Sequence, residues 1–122
     1  MKIEKQDLEP DACSGHHLAI RDTMEILSGK WKIRIIGSLS FGKKRFMELK
    51  GNIVGIAAKM LSKELQELEL NGLVKRTVLE TKPITVEYEL TVYGHSLKPV
   101  IDEMATWGVQ HRKRVIREMS AK

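Results

Sequence analysis

Two sets of residues in this 122-residue chain have types and spacing able to do chemistry. The first lies in GIAAKMLSKELQELELNGLVKR at 55–76. There Ala58, Lys59, Ser62, Lys63 and Gln66 recur at a helical period, opposite an apolar side made of Ala57, Leu61, Leu65 and Leu68. Ammonium groups displace condensed counterions at nucleic-acid phosphates. Side chains on such a face can also reach base edges, Lys donating to guanine and Gln pairing with adenine. Ser62, Lys63 and Gln66 are therefore the base-contact candidates, and Lys59 suits either a base or a phosphate. The plain alternative is a solvated amphipathic helix. Glu64, Glu67 and Glu69 lie around or beyond this face and would repel phosphate, so contact is expected toward the helix's N-terminal half.

The second set is CSGHH at 13–17. Cys13 and His16 have metal-compatible spacing, but a site needs about four ligands and nothing nearby completes one, so no metal is expected. A lone cysteine is most often a small buried hydrophobe. This one immediately precedes a predicted helix, whose first amides, with His16 or His17 when protonated, favour the thiolate. Cys13 is thus a candidate redox- or electrophile-sensing residue. Without a second cysteine the chain offers a mixed disulfide, an adduct, or a Cys13-to-Cys13 bridge between subunits. An adduct is favoured, because the bridge needs two Cα atoms within about 7 Å. A thiol-transfer enzyme built on Cys13 would lack the usual second cysteine. No phosphate-binding glycine loop, H-E-x-x-H or localisable Ser-His-Asp set occurs, and neither an enzyme nor a cofactor is expected.

These residues need elements to hold them. Residues 1–12 read as a polar arm ending near Pro10, ahead of one domain over 13–122. A first helix is predicted over 16–28 with Leu18, Ile20, Met24 and Leu27, and a second over 31–40 burying Trp31, Ile35 and Leu39. A short third helix carries Phe46 and Leu49. The fourth, 56–71, ends at Asn71-Gly72, where glycine takes the left-handed cap conformation. The period then changes to two. Val86, Tyr88 and Leu90 alternate with Glu87 and Glu89, residues 73–79 form the antiparallel partner, and ETKPI at 80–84 joins them. On the outer face Glu87 and Glu89 are expected near Lys75 or Thr77. Thr91 is placed to cap a long final helix with an apolar stripe of Leu97, Val100, Ile101 and Met104. Gly94 and Pro99 are expected to interrupt it, through a kink or a late start, and Gly108 to divide it again, with Val115, Ile116 and Met119 facing inward. Trp31, Phe46 and Tyr88 read as packing residues, Trp107 as a residue facing a partner subunit, and His95 and His111 as ordinary surface.

The order predicts an α+β, mainly α chain: a winged helix-turn-helix with a two-stranded β-hairpin wing and a long C-terminal dimerisation helix. In that arrangement helix 56–71 enters the DNA major groove and wing loop 80–84 lies at the backbone or minor groove. Charge placement agrees. Net charge is +5, and residues 30–47 hold Lys30, Lys32, Arg34, Lys43, Lys44 and Arg45 without an acid. Lys43, Lys44 and Arg45, ahead of the third helix, and Lys82 beside Pro83 are phosphate-contact candidates, and the third helix's amides are a further phosphate site. Lys75 and Arg76 begin the first strand, and Lys75 reads as simple surface. Arg112, Lys113, Arg114 and Arg117 make a second basic cluster. No apolar run approaches the roughly 18–20 residues that span a bilayer, so no membrane is expected. The first ten residues lack a signal peptide's apolar core, and one cysteine suits a reducing cytoplasm.

SGKWKIRII at 28–36, KRFMELKGNIVGIAAKMLSKELQELELNGLVKR at 44–76 and VEYELTVYGHSLKPVIDEMATWG at 86–108 resemble the HxlR-type winged-helix regulators. The likeness covers about residues 13–108 and rests on a cysteine near the start, G-K-W, R-F-x-E-L and G-I-x-x-K-M-L, in that order. It implies a homodimeric bacterial transcriptional regulator, related to the MarR group, on a palindromic double-stranded DNA operator. Ala57 and Ala58 stand where Ser or Thr is common in that group, which removes a hydroxyl contact near the helix start. Members that sense oxidants or electrophiles use a cysteine in the region of Cys13. The dimer interface is expected from the first helix and residues 92–119. The inducer, small molecule or oxidant, stays open, as does an alternative role as a winged-helix protein-interaction module.

Overall fold

The computed structural model describes residues 12–121. The polar arm expected over 1–12 lies, except for Ala12, outside the described residues. The chain divides after Lys30 into two units. The first contains α1 (Ala12–Ile26), on which Cys13, Leu18, Ile20 and Met24 are all exposed. Within it the Thr23 hydroxyl donates to the Ala19 carbonyl at 2.9 Å.

The second unit begins at Trp31 and runs α2 (Lys32–Leu39), β1 (Lys44–Arg45), α3 (Phe46–Asn52), α4 (Ala58–Leu70), β2 (Val74–Leu79), β3 (Thr85–Leu90), α5 (Val92–His95) and α6 (Lys98–Ser120). Apolar side chains at helical spacing converge from three helices: Ile35, Ile36 and Leu39 from α2, Leu49 from α3, and Leu61, Leu65 and Leu68 from α4. Each is almost fully buried, and burying a side chain of this kind contributes about 1.5–3 kcal/mol. Tyr88 and Leu90 close the core from β3, and Leu73 and Val74 from the start of β2. Trp31 is only half-buried, with the Arg34 guanidinium 5.0 Å from its ring centre.

α4 ends as the sequence requires. Gly72 adopts φ +74°, its N–H donates to the Glu69 carbonyl, and that of Leu73 reaches the Leu68 carbonyl at 3.0 Å. The hairpin that follows has the expected partners, with Lys75 opposite Glu89 and Thr77 opposite Glu87. The sheet has one strand more than the hairpin: β1 pairs with β3, Lys44 opposite Tyr88 and Arg45 opposite Glu87, giving the order β1-β3-β2.

Beyond the sheet the expectations need correcting. Thr91 is a cap, but of the four-residue α5, where its hydroxyl accepts from the Gly94 N–H at 2.9 Å and donates to the Gly72 carbonyl at 2.6 Å. The expected late start is observed: the final helix α6 begins only at Lys98, after α5, with Pro99 in its first turn, where its missing N–H is not needed. Gly108 does not divide α6, which continues for 23 residues, roughly 34 Å at about 1.5 Å per residue. Val115, Ile116 and Met119 do not face inward; no residue of α6 is buried, and Met104 is 49% and Trp107 69% exposed. Trp107 stacks on His111, with ring centres 5.1 Å apart.

Candidate nucleic-acid interface

α4 owes its two faces to the leucine spacing. With Leu61, Leu65 and Leu68 turned into the core, Ala58, Lys59, Lys63 and Gln66 are exposed together on the other side. Ala57, read as part of the apolar side, is instead the exposed residue just before the helix. Ser62 is half-buried and lines a groove of about 580 Å³ with Arg45, Phe46 and Met47 on one side and Ile84, Thr85 and Tyr88 of the wing on another. The groove places the α4 candidate Ser62 beside the α3 approach and the wing.

The acids of α4 are not all free surface. Glu64 is buried, while the Glu67 side chain keeps 41% exposure. Both accept hydrogen bonds from Lys32, whose Nζ is 2.5 Å from Glu64 Oε2 and also engages Glu67. Lys32, counted among the surface cations of 30–47, is 3% exposed, and Glu64 is 7% exposed. Burial alone would lower the Lys32 pKa, but the two carboxylate bonds outweigh it and hold the ammonium above its ordinary range. The same ammonium holds the Glu67 carboxyl below its ordinary range, first through the hydrogen bond and then through its charge. One ammonium thus pairs with two of the three α4 acids and offsets one of their two charges. The outward face keeps Lys59 and Lys63 against Glu69. Among the described residues, no buried side-chain nitrogen or oxygen lacks a partner.

Lys43, Lys44 and Arg45 are not a loose segment ahead of α3. Lys44 and Arg45 are β1 itself, and Lys43 Nζ lies 3.5 Å from the Glu87 carboxylate on β3. Lys43 and Arg45 are exposed and Lys44 is half-buried. At the α3 N-terminus the Glu48 carboxylate accepts from the N-cap Arg45 N–H at 3.0 Å. Arg34 is exposed and donates to the Val54 carbonyl at 3.2 Å. Lys82 is exposed in the loop between β2 and β3. There the Thr81 hydroxyl donates to the Pro83 carbonyl at 2.8 Å and lies 2.9 Å from the Thr85 hydroxyl. In the C-terminal basic cluster, Arg114 pairs with Glu118 at 2.9 Å. Cys13, on α1, belongs to the other unit. No cluster of three or more metal-ligating side chains occurs among the described residues, and His16 and His17 make only a ring contact with centres 6.4 Å apart.

Three helices, the last with a cationic outer face, followed by an antiparallel hairpin define a winged helix-turn-helix transcription regulator. The family model described as HxlR-like helix-turn-helix matches residues 26–116, and the chain belongs to that family. YtcD of Bacillus subtilis (strain 168), an HTH-type transcriptional regulator, is 42% identical over 100 residues, 82% of this chain and 79% of YtcD. The YtcD crystal structure superposes with a TM-score of 0.73, covering 77% of this chain and 96% of that one. The redox regulator HypR in its reduced form gives a TM-score of 0.75 at 35% identity, over 81% of this chain and 98% of HypR. The reduced transcriptional regulator YodB from Bacillus subtilis gives 0.66 at 39% identity, over 75% and 90%. Membership of a DNA-binding regulator family thus rests on sequence and fold together. No helix among the described residues is long and apolar enough to cross a membrane.

Proposed function

We propose that the protein regulates transcription as a homodimer on a palindromic operator. α4 enters the major groove and loop 80–84 lies at the backbone or minor groove. The carrying observation is the division of α4, with Lys59, Lys63 and Gln66 outward and Glu64 and Glu67 drawn onto Lys32. Lys63, Gln66 and Ser62 read bases, Ala58 lets the helix approach closely, and Lys59, Lys43, Lys44, Arg45 and Lys82 meet phosphates. Residues 13–122 act as the DNA-binding domain, with 1–12 as a polar arm. The first helix and residues 92–119 join two copies, a role favoured by the unburied apolar side chains of α6. The protein works in the cytoplasm without catalysis or cofactor. Cys13, exposed on α1, responds to oxidants or electrophiles by forming an adduct; the likeness to the redox regulator HypR supports this reading.

Selection of bound duplexes from a random pool with purified protein tests the central reading. A recovered sequence with two inverted half-sites about one helical turn apart is expected. Recovery of no preferred sequence refutes it and favours a protein-interaction role.

A further inference from the structure

Both partners of the buried Lys32 sit on α4, and each is the sequence neighbour of a candidate base contact: Glu64 follows Lys63, and Glu67 follows Gln66. One residue is about 100° of rotation around a helix. Whatever pins Glu64 and Glu67 therefore sets where Lys63 and Gln66 point. The leucines cannot do this alone, because apolar contact is non-directional and tolerates a roll of the helix over the core. An ammonium held by carboxylates at i and i+3 is directional.

We propose that Lys32 is a positioning residue for DNA reading: by gripping Glu64 and Glu67 from α2 it fixes the roll of α4, and with it the direction of Lys63 and Gln66. The grip also holds the Glu64 carboxylate beneath the helix and ties the partly exposed Glu67 to a cation. This rests on the reading of α4 as the recognition helix.

The test uses the duplex selected by wild type and a shuffled duplex of the same length. Replacing the whole triad, Lys32→Met with Glu64→Leu and Glu67→Gln, leaves no stranded buried charge, and such replacements are generally neutral or stabilising. The expected result is an unchanged melting temperature with roughly a tenfold loss of operator-over-shuffled preference, comparable to losing one base contact. The salt slope should move by less than about one unit, since the phosphate contacts remain. A folded triple variant with a wild-type ratio overturns the proposal. Should that variant not fold, Glu67→Gln decides, because it keeps the buried Lys32–Glu64 pair. It should lower the ratio about threefold, and an unchanged ratio overturns the proposal. Lys63→Ala with Gln66→Ala is measured alongside. If this double variant keeps the wild-type ratio, the recognition-helix reading falls and the Lys32 proposal with it. If it loses preference while the triad variant keeps it, only the Lys32 proposal falls.

Discussion

Lys32→Met strands the Glu64 carboxylate at 7% exposure with its cation gone, while methionine keeps most of the packing of the lysine stem. Removing one partner of a buried pair costs about 3–5 kcal/mol. The expected loss is therefore ~3–5 kcal/mol at pH 7. In wild type both paired groups contribute fully between about pH 5 and pH 7. Glu67 is held low by Lys32, so its contribution is complete above about pH 4.3 and fades as pH falls through its depressed value. The Lys32 ammonium, disfavoured by burial but held up by both carboxylates, contributes fully below about pH 10.4 and is lost as pH rises through its raised value. Urea unfolding of both proteins at pH 7 and through the acid range gives the differences directly. A loss under about 1 kcal/mol at pH 7, or a gap that widens as falling pH protonates Glu67, refutes the picture of one buried cation holding two carboxylates.

Other consequences are open to direct measurement. Lys63→Ala or Gln66→Ala should cost about 1–3 kcal/mol at the operator and relax its sequence preference, whereas Lys82→Ala should weaken operator and unrelated DNA alike and reduce the salt slope by about one unit; quantitative binding across a salt series separates them. Met104→Glu, half-exposed in a single chain, should leave the fold intact but abolish the dimer and two-half-site binding, and a wild-type sedimentation profile would count against the α6 interface. Gly94→Ala should destabilise by more than about 2 kcal/mol, because the added Cβ would stand 2.1 Å from the Leu73 carbonyl oxygen, a backbone atom; a melting curve matching wild type would contradict this packing. Diamide or quinone treatment should lower the operator affinity of wild type but not of Cys13→Ser, and equal affinities with mass-spectrometric proof of Cys13 modification would exclude sensing.

The elements legible in the sequence were those with a sustained period. The leucines of α4 and the alternation from Val86 to Leu90 placed the helix within two residues at each end and the hairpin in its register. What a period cannot carry was missed. Two residues of β1 show no alternation to read, and they are recognisable only once β3 is beside them. Lys32 looks like surface by type, and its partners are 32 and 35 positions away, beyond any local pattern. Gly108 does not end α6, since one glycine costs a helix only about 1 kcal/mol, too little to stop one of this length. At the interface, the outward face of α4 was visible in advance. The reason its acids do not spoil it was not.

The two residues of β1 also change how force would travel through the molecule. A hairpin joined to its domain only at its ends could flap independently, finding phosphate while the neighbouring helix was still unaligned. Here β3 is sewn along one edge to Lys44 and Arg45, and α3 starts at the very next residue, Phe46, whose ring lies 6.5 Å from that of Tyr88 on the same strand. Tilting the wing would drag the head of α3 with it. The strand therefore ties the base of the wing to the head of α3.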